Sequence, residues 1–512
     1  MKKIILPILF CLCSILPAFP QTWNSDIGCI VYSHCSSCHR PGGIGPFSLM
    51  SYFEAFQRKD MIAQSVQTRM MPPFPPRQDR RPIAHANTLS QTEINAIVAW
   101  AGNNAPLGSG NEPPAPEFTS AAELENPDFE GRIPVYNVNT PVNDDYRVFV
   151  IPVENSSEKF IEAVEVIPGN REIVHHVLVF TDTSRIPMQL DSADPGPGYS
   201  SFGSSGSPSA VLLAGYAPGQ KAYFFPPGFG GKLLPGSRLC LQIHYPGGLS
   251  NQKDSTSIRL RYRSSTNGIR ELFVLPALNH GNSLLNGPLF IPANTVKTFY
   301  SQTYVPADVT VTGINPHMHL LGKSIRAYGI KPGGDTIHLI DIPEWHFHWQ
   351  GFYNFKKPVF LPQGTILRGE ATYDNTISNI YNPNSPPQNV SQGEGTADEM
   401  MLIFFIFAPF QAADTSLVVD AASHWPHDLL ACSSVTGLDL PPSGEEEKEL
   451  PQEEVQSWMI LSADGRRLMN AIAEGQNPEE SIRKLPAGLY GLRLQYSNGK
   501  IQCRKIFISG SR

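Results

Sequence analysis

The sequence predicts a multidomain, mainly β protein with a small α-helical N-terminal domain, two β-sandwich (jelly-roll-like) domains and a small C-terminal β-sandwich. At 512 residues the chain is too long for one ordinary domain. It has 47 prolines and 42 glycines but only 17% charged residues, a balance that favours β domains with many turns over long helices. Short apolar runs separated by Pro and Gly clusters predict the strands.

Residues 1–21 predict a secretory signal peptide. Lys2 and Lys3 precede an apolar run, which is followed by small and turn-forming residues. Lipid attachment through Cys11 or Cys13 is an alternative for this segment. No later stretch reaches about 18 uninterrupted apolar residues, the length that predicts a membrane span. We therefore expect the protein to be exported and to be secreted or at the cell surface.

The net charge and the cysteine content further narrow the class of protein. The net charge is -7, which gives no basic field for nucleic acid. Outside the signal segment and a C-x-x-C-H motif, the cysteines are Cys29, Cys240, Cys432 and Cys503. Four cysteines are few for a disulfide-stapled protein of this length, so hydrophobic cores must supply most of the stability. A Cys240–Cys432 disulfide is possible, but the sequence leaves the pairing open.

Residues 22–108 predict a haem domain. Cys35, Cys38 and His39 have the C-x-x-C-H spacing of c-type haem attachment, in which two thiols bind the haem and the histidine is one axial ligand. A methionine from Met70 or Met71 would be the second ligand and would raise the potential. The alternatives for C-x-x-C-H are a redox thiol pair and a zinc half-site.

A predicted helix closes this domain. Ser90 and Glu93 form a capping-box pattern, and apolar residues follow at helical spacing. The segment resembles the closing helix of a small cytochrome c. Family members with this arrangement carry the sequence R-x-M-P-P after the C-x-x-C-H motif, and that resemblance implies Met71 as the axial ligand.

Residues 109–130 are rich in Pro, Ala and Glu and predict a linker, after which strand patterns dominate. Strands are predicted at 146–153, 160–167, 173–180, 238–245 and 402–408. In the fourth of these, Leu239, Leu241, Ile243 and Tyr245 share one face, while Gln242 and His244 share the other. His244 is thus expected opposite the core, where a site would lie.

The pattern of short strands separated by turns restarts near residue 270, so we expect one β domain at 131–270 and a second at 271–440. An acidic linker follows at 441–454. Residues 455–512 contain short strands joined by Gly turns and resemble the C-terminal sorting domain of type IX secretion substrates. That resemblance implies the type IX secretion machinery as a partner. The alternative is a small β interaction module.

Six residues predict two copper sites. Imidazole suits copper, and a thioether suits its cuprous state. His317 and His319 are two residues apart, a spacing that places both on one strand face. Adjacent histidines point to opposite faces, so one ion can bind both only where a strand is twisted, bulged or at an edge. The candidate ligands are His175, His176 and His244 for one site, and His317, His319 and Met400 for the other.

The segments around these residues carry a family resemblance. REIVHHVLVF, LQIHYPG, NPHMHLLGK and TADEMM resemble the copper type II ascorbate-dependent monooxygenases, the family of peptidylglycine and dopamine beta-monooxygenases. The resemblance implies two packed β domains, each with one copper. The three-histidine copper would transfer electrons, and the copper held by His317, His319 and Met400 would activate O2 and hydroxylate a C–H bond. Family matching favours Met400 over its neighbour Met401.

One departure from the family bears on the substrate. Where the peptide-amidating members bind a substrate carboxylate, this chain has Asn315, Leu402 and Phe404, none of them positively charged. We therefore expect an apolar or aromatic small substrate. His346 and His348 lie among aromatic residues and are expected to pack or to line a pocket.

The expected function is a secreted copper monooxygenase that uses O2 and an external electron donor. Electrons would pass from haem c through the three-histidine copper to the second copper. The alternatives are a non-catalytic extracellular copper-binding or electron-transfer protein, and a purely structural surface protein. The cofactors implied are two copper ions and one covalently bound haem c.

Overall fold

The computed structural model describes residues 21–419, apart from 85, 119–121, 123, 125, 219 and 221, and the backbone of four strands between 455 and 508. The protein is mainly β with few helices, which confirms the predicted class at that level. The jelly-roll arrangement, the domain boundaries and the cytochrome c assignment stay predictions. The predicted signal peptide lies almost wholly outside the described residues.

Helices form the N-terminal unit, and one further helix follows the fifth strand. The described helices are a π-helical turn Trp23–Ile27, α1 Gly28–His34, α2 Tyr52–Phe56, α3 Lys59–Gln67, α4 Gln91–Gly102, α5 Ile186–Ala193 and a 3-10 turn Ala412–Ser416. The capping box predicted from Ser90 and Glu93 is present at the start of α4. Trp23, Ile97 and Trp100 are fully buried at the centre of this unit. None of the described helices has the length and apolarity needed to cross a membrane.

Two sheets follow. Their strands are β1 Phe129–Arg132, β2 Tyr136–Thr140, β3 Asp145–Pro152, β4 Lys159–Ile167, β5 His176–Asp182, β6 Tyr199–Ser200, β7 Val211–Tyr216, β8 Tyr223–Phe224, β9 Phe229–Leu233, β10 Arg238–Tyr245, β11 Leu249–Asp254, β12 Ser257–Tyr262 and β13 Arg270–Glu271. One sheet has the order β1-β12-β4-β9-β13, with β8 beside β4; the other has β6-β3-β10-β5-β7. β2 and β11 form a separate ribbon.

The alternation predicted for β10 is confirmed. Leu239, Leu241 and Ile243 are fully buried in a core shared with Ile161 and Val164 of β4 in the facing sheet. A period-two pattern places the intervening residues on the opposite face of β10. That outer face carries Gln242 and His244 and faces the second pair of sheets.

The second pair of sheets follows the same plan. Its strands are β14 Phe273–Asn279, β15 Phe290–Ile291, β16 Thr295–Tyr304, β17 Val309–His317, β18 Gly322–Ile330, β19 Thr336–Ile342, β20 Tyr353–Leu361, β21 Ile366–Asn375, β22 Val390–Ser391 and β23 Leu402–Pro409. The sheet orders are β14-β23-β17-β20 and β16-β21-β18-β19, with β15 paired to β22. Phe299, Ile314 and Ile325 are buried in the core that both sheets share.

Four strands near the C-terminus form a separate antiparallel sheet. They are β24 Val455–Ser462, β25 Arg467–Ile472, β26 Gly488–Tyr496 and β27 Ile501–Ile508. The order is β25-β24-β26-β27. The predicted acidic linker at 441–454 lies outside the described residues.

Most predicted strands lie where the pattern put them, but one starts late. The strand predicted at 173–180 begins only at His176, because residues 171–173 form a turn. This shift separates His175 from the regular strand. Cys240 on β10 is a free, buried thiol, and Cys29 is disulfide-bonded, so the considered Cys240–Cys432 pairing is not the one found.

The helical unit is joined to the second pair of sheets by residues 74–84. Ile83 pairs with Phe355 of β20, and the Phe74 ring packs edge-on against Tyr353 at 5.7 Å between centroids. The backbone N–H of Ala84 also donates to Asn354 O at 2.8 Å. The segment directly after Met71 is therefore anchored to β20.

Candidate metal centre

Three histidines on the outer face of the first pair of sheets can hold one metal ion. One ring nitrogen from each of His175, His176 and His244 lies within 4.8 Å of the other two. His176 and His244 are paired across β5 and β10. His175 precedes β5, and its backbone N–H donates to His244 O at 3.0 Å. Because the strand starts between the two adjacent histidines, strict alternation does not apply and both rings reach the same side.

The hydrogen bonds leave specific ring nitrogens free for a metal. His244 donates through Nε2 to Asp144 Oδ2 at 3.1 Å, and its buried Nδ1 has no hydrogen-bond partner among the described residues. The same holds for the buried Nε2 of His175. Buried polar atoms are normally paired, so two orphaned imidazole nitrogens in one cluster fit a metal-binding role. The Tyr146 ring stacks on His244 at 4.2 Å and fixes its plane.

Burial sets the charge state of this cluster. It lowers the pKa of His175 and of His176 well below the usual value, and the neighbouring histidines lower both further. Both imidazoles are therefore neutral near pH 7. Neutral imidazole is the form that binds metals.

His317 and His319 form a second ligand set at the end of β17. His317 is the last residue of that strand, and His319 lies beyond it, with 5.1 Å between the ring centroids. His317 Nδ1 donates to Gln350 Oε1 at 2.5 Å, and His319 Nδ1 donates to Asp398 O at 3.0 Å. Both rings thereby keep Nε2 for a ligand. Burial lowers the pKa of His317 to about 4 and that of His319 to about 3.

Glu399 holds the two halves of this second set together. Its buried carboxylate accepts hydrogen bonds from the backbone N–H groups of His319 at 3.0 Å, Leu321 at 2.7 Å and Met400 at 3.2 Å. Burial raises the pKa of Glu399 to about 8, although these donors act in the opposite direction. Met400 lines the same cleft as the two histidines, whereas Met401 is fully buried in the core.

The two ligand sets face each other across one cleft. The ring centroids of His176 and His317 are 6.2 Å apart. Phe347 lies between the sets, stacked on His175 at 4.4 Å and edge-on to His319 at 5.9 Å. All six predicted copper ligands thus come together in the structure, five of them lining a single cleft and His244 directly behind it.

The lining of the cleft is largely apolar. Leu178 contributes from β5, Leu402 and Phe404 contribute from β23, and Phe352 contributes from just before β20. Asn315 lies opposite Phe404 in the register of β17 and β23. None of the described residues that line the cleft is a lysine or an arginine.

The C-x-x-C-H motif lies at the end of α1. Cys35 and Cys38 are not joined in a disulfide, and burial raises the pKa of Cys35 to about 12. The buried His39 ring donates through Nδ1 to Phe47 O at 3.1 Å, which leaves Nε2 for an axial bond. A Cβ at Gly45 would lie 2.7 Å from that ring, so glycine permits the close approach. Two cysteine thiols outside any disulfide, beside a histidine whose Nε2 is available, fit covalent haem.

The placement of the axial methionine stays a prediction. Met71 is half-buried, whereas Met70 is 64% exposed and lies on the surface. A ligand must be shielded with its metal, so the burial difference agrees with the choice of Met71.

Several residues near the metal ligands escape sequence reasoning. Asp144, Gln350 and Phe347 contact the candidate ligand histidines from 28 to 172 positions away, and no spacing pattern links them. His346 and His348 flank Phe347 along the chain, and His346 Nε2 lies 3.3 Å from the Tyr381 hydroxyl.

The remaining histidines do not join the metal cluster in the described part of the chain. His34 contacts Asn87 and Glu93, and His280 contacts the backbone of Met401. Residues 85, 424 and 427, also histidines, lie outside the described residues.

Comparisons with known proteins agree with this geometry. Residues 294–423, which include His317, His319 and Met400, match the family model for the C-terminal domain of copper type II ascorbate-dependent monooxygenases. A curated relative is dopamine beta-hydroxylase from Rattus norvegicus, 28% identical over a region that covers 41% of this chain and 35% of that protein. The chain thus matches about a third of that relative's length. Both matches support the copper monooxygenase family.

Similarity to solved structures is weak. PNGF-II has a TM-score of 0.26 at 10% identity, covering 54% of this chain and 65% of that one. A two-domain protein of unknown function from Bacteroides fragilis has a TM-score of 0.16 at 11% identity, covering 50% and 94%. Scores this low do not establish a common architecture.

Proposed function

We propose that this chain is a copper-dependent monooxygenase that hydroxylates a C–H bond of a small apolar or aromatic substrate with O2. The observation that carries the proposal is the convergence of two ligand sets on one cleft, with His176 and His317 at 6.2 Å between ring centroids. The family match over residues 294–423 supports the same chemistry.

Copper held by His317, His319 and Met400 would supply O2 activation and hydrogen abstraction, and copper held by the three-histidine set would supply single electrons. The protein's part is to fix the ligands. Gln350 and Asp398 orient the two histidines of the second set through their Nδ1 atoms. Glu399 holds the backbone of His319 and Met400 together, and both residues line the same cleft.

The cleft walls determine which part of a substrate can approach. Leu402 and Phe404 lie beside Met400 on the chain and line the cleft. An apolar or aromatic body is favoured here because burial of apolar surface contributes about 25 cal/mol per Å². A carboxylate would have to give up its hydration without meeting a lysine or an arginine among the described lining residues.

The N-terminal unit is proposed as the electron donor. Cys35, Cys38, His39 and Met71 would hold a haem c, whose chemistry is one-electron transfer. The anchoring of residues 74–84 on β20 supports a fixed position of this unit beside the copper-binding sheets.

Export is proposed as the route to the site of action. The N-terminal 21 residues would direct secretion, and residues 455–512 would engage the type IX secretion machinery for passage to the surface or the medium. The four-stranded sheet β24–β27 supports a compact β unit at this end.

Copper stoichiometry is the first test. Elemental analysis of the purified, reconstituted and desalted chain should give two coppers. A His317→Ala/His319→Ala variant should give one and should retain the haem absorbance. Fewer than two coppers in the unaltered chain would contradict the paired-site assignment.

Oxygen uptake separates the monooxygenase from the alternative, a non-catalytic copper-binding or electron-transfer protein. A monooxygenase should consume O2 with a one-electron reductant, and consumption should rise when an apolar substrate is added. Two bound coppers without substrate-dependent uptake would favour the alternative.

A further inference from the structure

The cleft contains a polar group that the metal-binding role does not use. Gln242 lies two residues before His244 on the same outer face of β10, and it is paired with Leu178 of β5. Both residues line the cleft, as do Leu402 and Phe404 from the second pair of sheets. Gln242 thus lies one strand repeat away from the histidines, among apolar walls.

The orientation of the Gln242 amide is fixed by its hydrogen bonds. Nε2 donates to Ser201 O at 2.8 Å and to Ser204 O at 2.7 Å. A flipped amide would place its oxygen against two carbonyl oxygens, so the remaining atom must be Oε1. The residue is only 1% exposed, and Oε1 has no hydrogen-bond partner among the described residues. A buried acceptor left unpaired costs about 1–3 kcal/mol, so such atoms are normally paired.

Other amides along the cleft have the same orientation. Gln220 Nε2 donates to Gly215 O at 3.2 Å, and its Oε1 is likewise buried without a partner among the described residues. Asn315 Nδ2 donates to Gly351 O at 2.8 Å. The NH2 groups of these side chains are turned to the backbone, which leaves oxygen atoms to face a ligand.

The charges along the cleft agree with the amides. The half-buried Glu394 lines the cleft, and none of the described residues that line it is a lysine or an arginine. Gly203, in the loop that Gln242 holds, lies against the Glu394 carboxylate: a Cβ there would be 3.2 Å from Oε2. The described lining therefore offers hydrogen-bond acceptors and one carboxylate.

We infer that Gln242 determines substrate specificity by accepting a hydrogen bond at Oε1 from a hydroxyl or N–H group of the substrate. This inference rests on the proposed monooxygenase function and names its substrate class, an apolar or aromatic compound that carries a neutral hydrogen-bond donor. The apolar body lies against Leu402 and Phe404, and the donor reaches Gln242 Oε1, which lies beside Leu178 on the wall formed by β5 and β10.

The test uses two probes with matched apolar bodies. Calorimetry with the full-length, metal-loaded protein under anaerobic conditions measures binding of 2-phenylethanol and n-propylbenzene. Pairing a buried acceptor should make the alcohol bind roughly tenfold or more tightly than the hydrocarbon. Equal binding of alcohol and hydrocarbon, or no binding of either probe, would overturn the inference.

Two variants test whether Gln242 causes the difference in affinity between the alcohol and the hydrocarbon. In Gln242→Met the alcohol and the hydrocarbon should bind within about twofold of each other, because the acceptor is gone and the volume is kept. Gln252→Met, on the exposed strand β11, is the matched control and should retain the full preference. Full preference in folded Gln242→Met would contradict the inference. If that variant does not fold, the comparison of the alcohol with the hydrocarbon on the unaltered chain still decides.

The calorimetry and the oxygen-uptake measurement can fail independently of each other. The calorimetry needs neither O2 nor reductant, so it reports on the acceptor alone. Discrimination without any substrate-dependent oxygen uptake would count against the proposed function and leave the binding site in place. Uptake without discrimination would count against Gln242 only.

Discussion

The carboxylate of Asp144 accepts a hydrogen bond from the ring of His244, with 3.1 Å between Oδ2 and Nε2. The same oxygen accepts from Thr396, at 2.9 Å from its backbone N–H and at 2.7 Å from its hydroxyl. Thr396 lies four residues before Met400. One carboxylate therefore joins a histidine of the first ligand set to the segment that carries a ligand of the second.

Replacing Asp144 should weaken the three-histidine site. In Asp144→Asn the charge that orients the His244 ring is lost, and changes of this kind typically lower metal affinity about 10–100-fold. Competition with a chromophoric chelator measures the loss. Asp145→Asn, which removes an acceptor of the Tyr136 hydroxyl instead, is the control and should leave copper affinity unchanged. Equal effects of the two substitutions would argue against the orienting role.

The neighbouring methionines should separate metal binding from packing. Met400→Leu keeps the volume but removes the thioether from the cleft, so cuprous affinity at one site should fall at least roughly tenfold. Met401→Leu alters a fully buried core residue and should cost less than about 1.5 kcal/mol of unfolding free energy, with both coppers retained. Titration with a cuprous chelator and thermal unfolding measure the two effects. The reverse pattern would assign the ligand to Met401.

Covalent haem should depend on the two thiols of the C-x-x-C-H motif. A Cys35→Ala/Cys38→Ala chain expressed with a haem-attachment system should carry no haem through a denaturing gel, because no thioether can form. Cys240→Ala should retain the haem and lose only about 1 kcal/mol of stability, since that thiol is buried far along the chain. Haem retained by the double variant would remove the cytochrome assignment.

The helical unit should lose stability in acid through Glu93. This carboxylate accepts from Ser90 N–H at 2.7 Å and lies 3.5 Å from His34 Nε2. These contacts lower its pKa to about 2 from an ordinary 4.5. Because the folded pKa is depressed, the stabilisation is complete above about pH 4.5 and is lost as the pH falls towards 2.

A Glu93→Gln variant tests this dependence. It should be about 1 kcal/mol less stable than the unaltered chain at pH 7, and the difference should shrink below pH 4.5. Denaturant unfolding followed by fluorescence of the buried Trp23 and Trp100 measures it. The exposed Glu172→Gln is the control and should show no such difference. A difference that stays constant down to pH 2 would rule out the carboxylate as its source.

The sequence predicted those elements that are determined by patterns within a short stretch of residues. The alternation around Ile243 fixed the face of His244, and the Ser90–Glu93 pair marked the start of α4. It misplaced the start of β5 because the apolar run continues through a turn before His176. That late start also brings the two adjacent imidazoles to the same side of the sheet, where they could bind one metal ion.

Residues that act through contacts with distant parts of the chain could not be predicted from the sequence. Asp144 meets His244 across 100 positions, and Gln350 meets His317 across 33. Neither lies in a motif, and an acidic or amide residue in a loop is ordinarily a solvated group. The orphaned oxygen of Gln242 likewise becomes visible only when its two carbonyl partners are in place.

Asn354 links three regions of the chain through its hydrogen bonds. Its Oδ1 accepts from Tyr223 at 3.0 Å, its Nδ2 donates to Phe224 O at 3.0 Å, and its carbonyl receives Ala84 N–H at 2.8 Å. These hydrogen bonds join β8, β20 and the segment around Ala84 at one residue. A hinge motion that moved the first pair of sheets away from the second would have to break the two hydrogen bonds between Asn354 and β8, so they oppose widening of the gap between the two histidine sets.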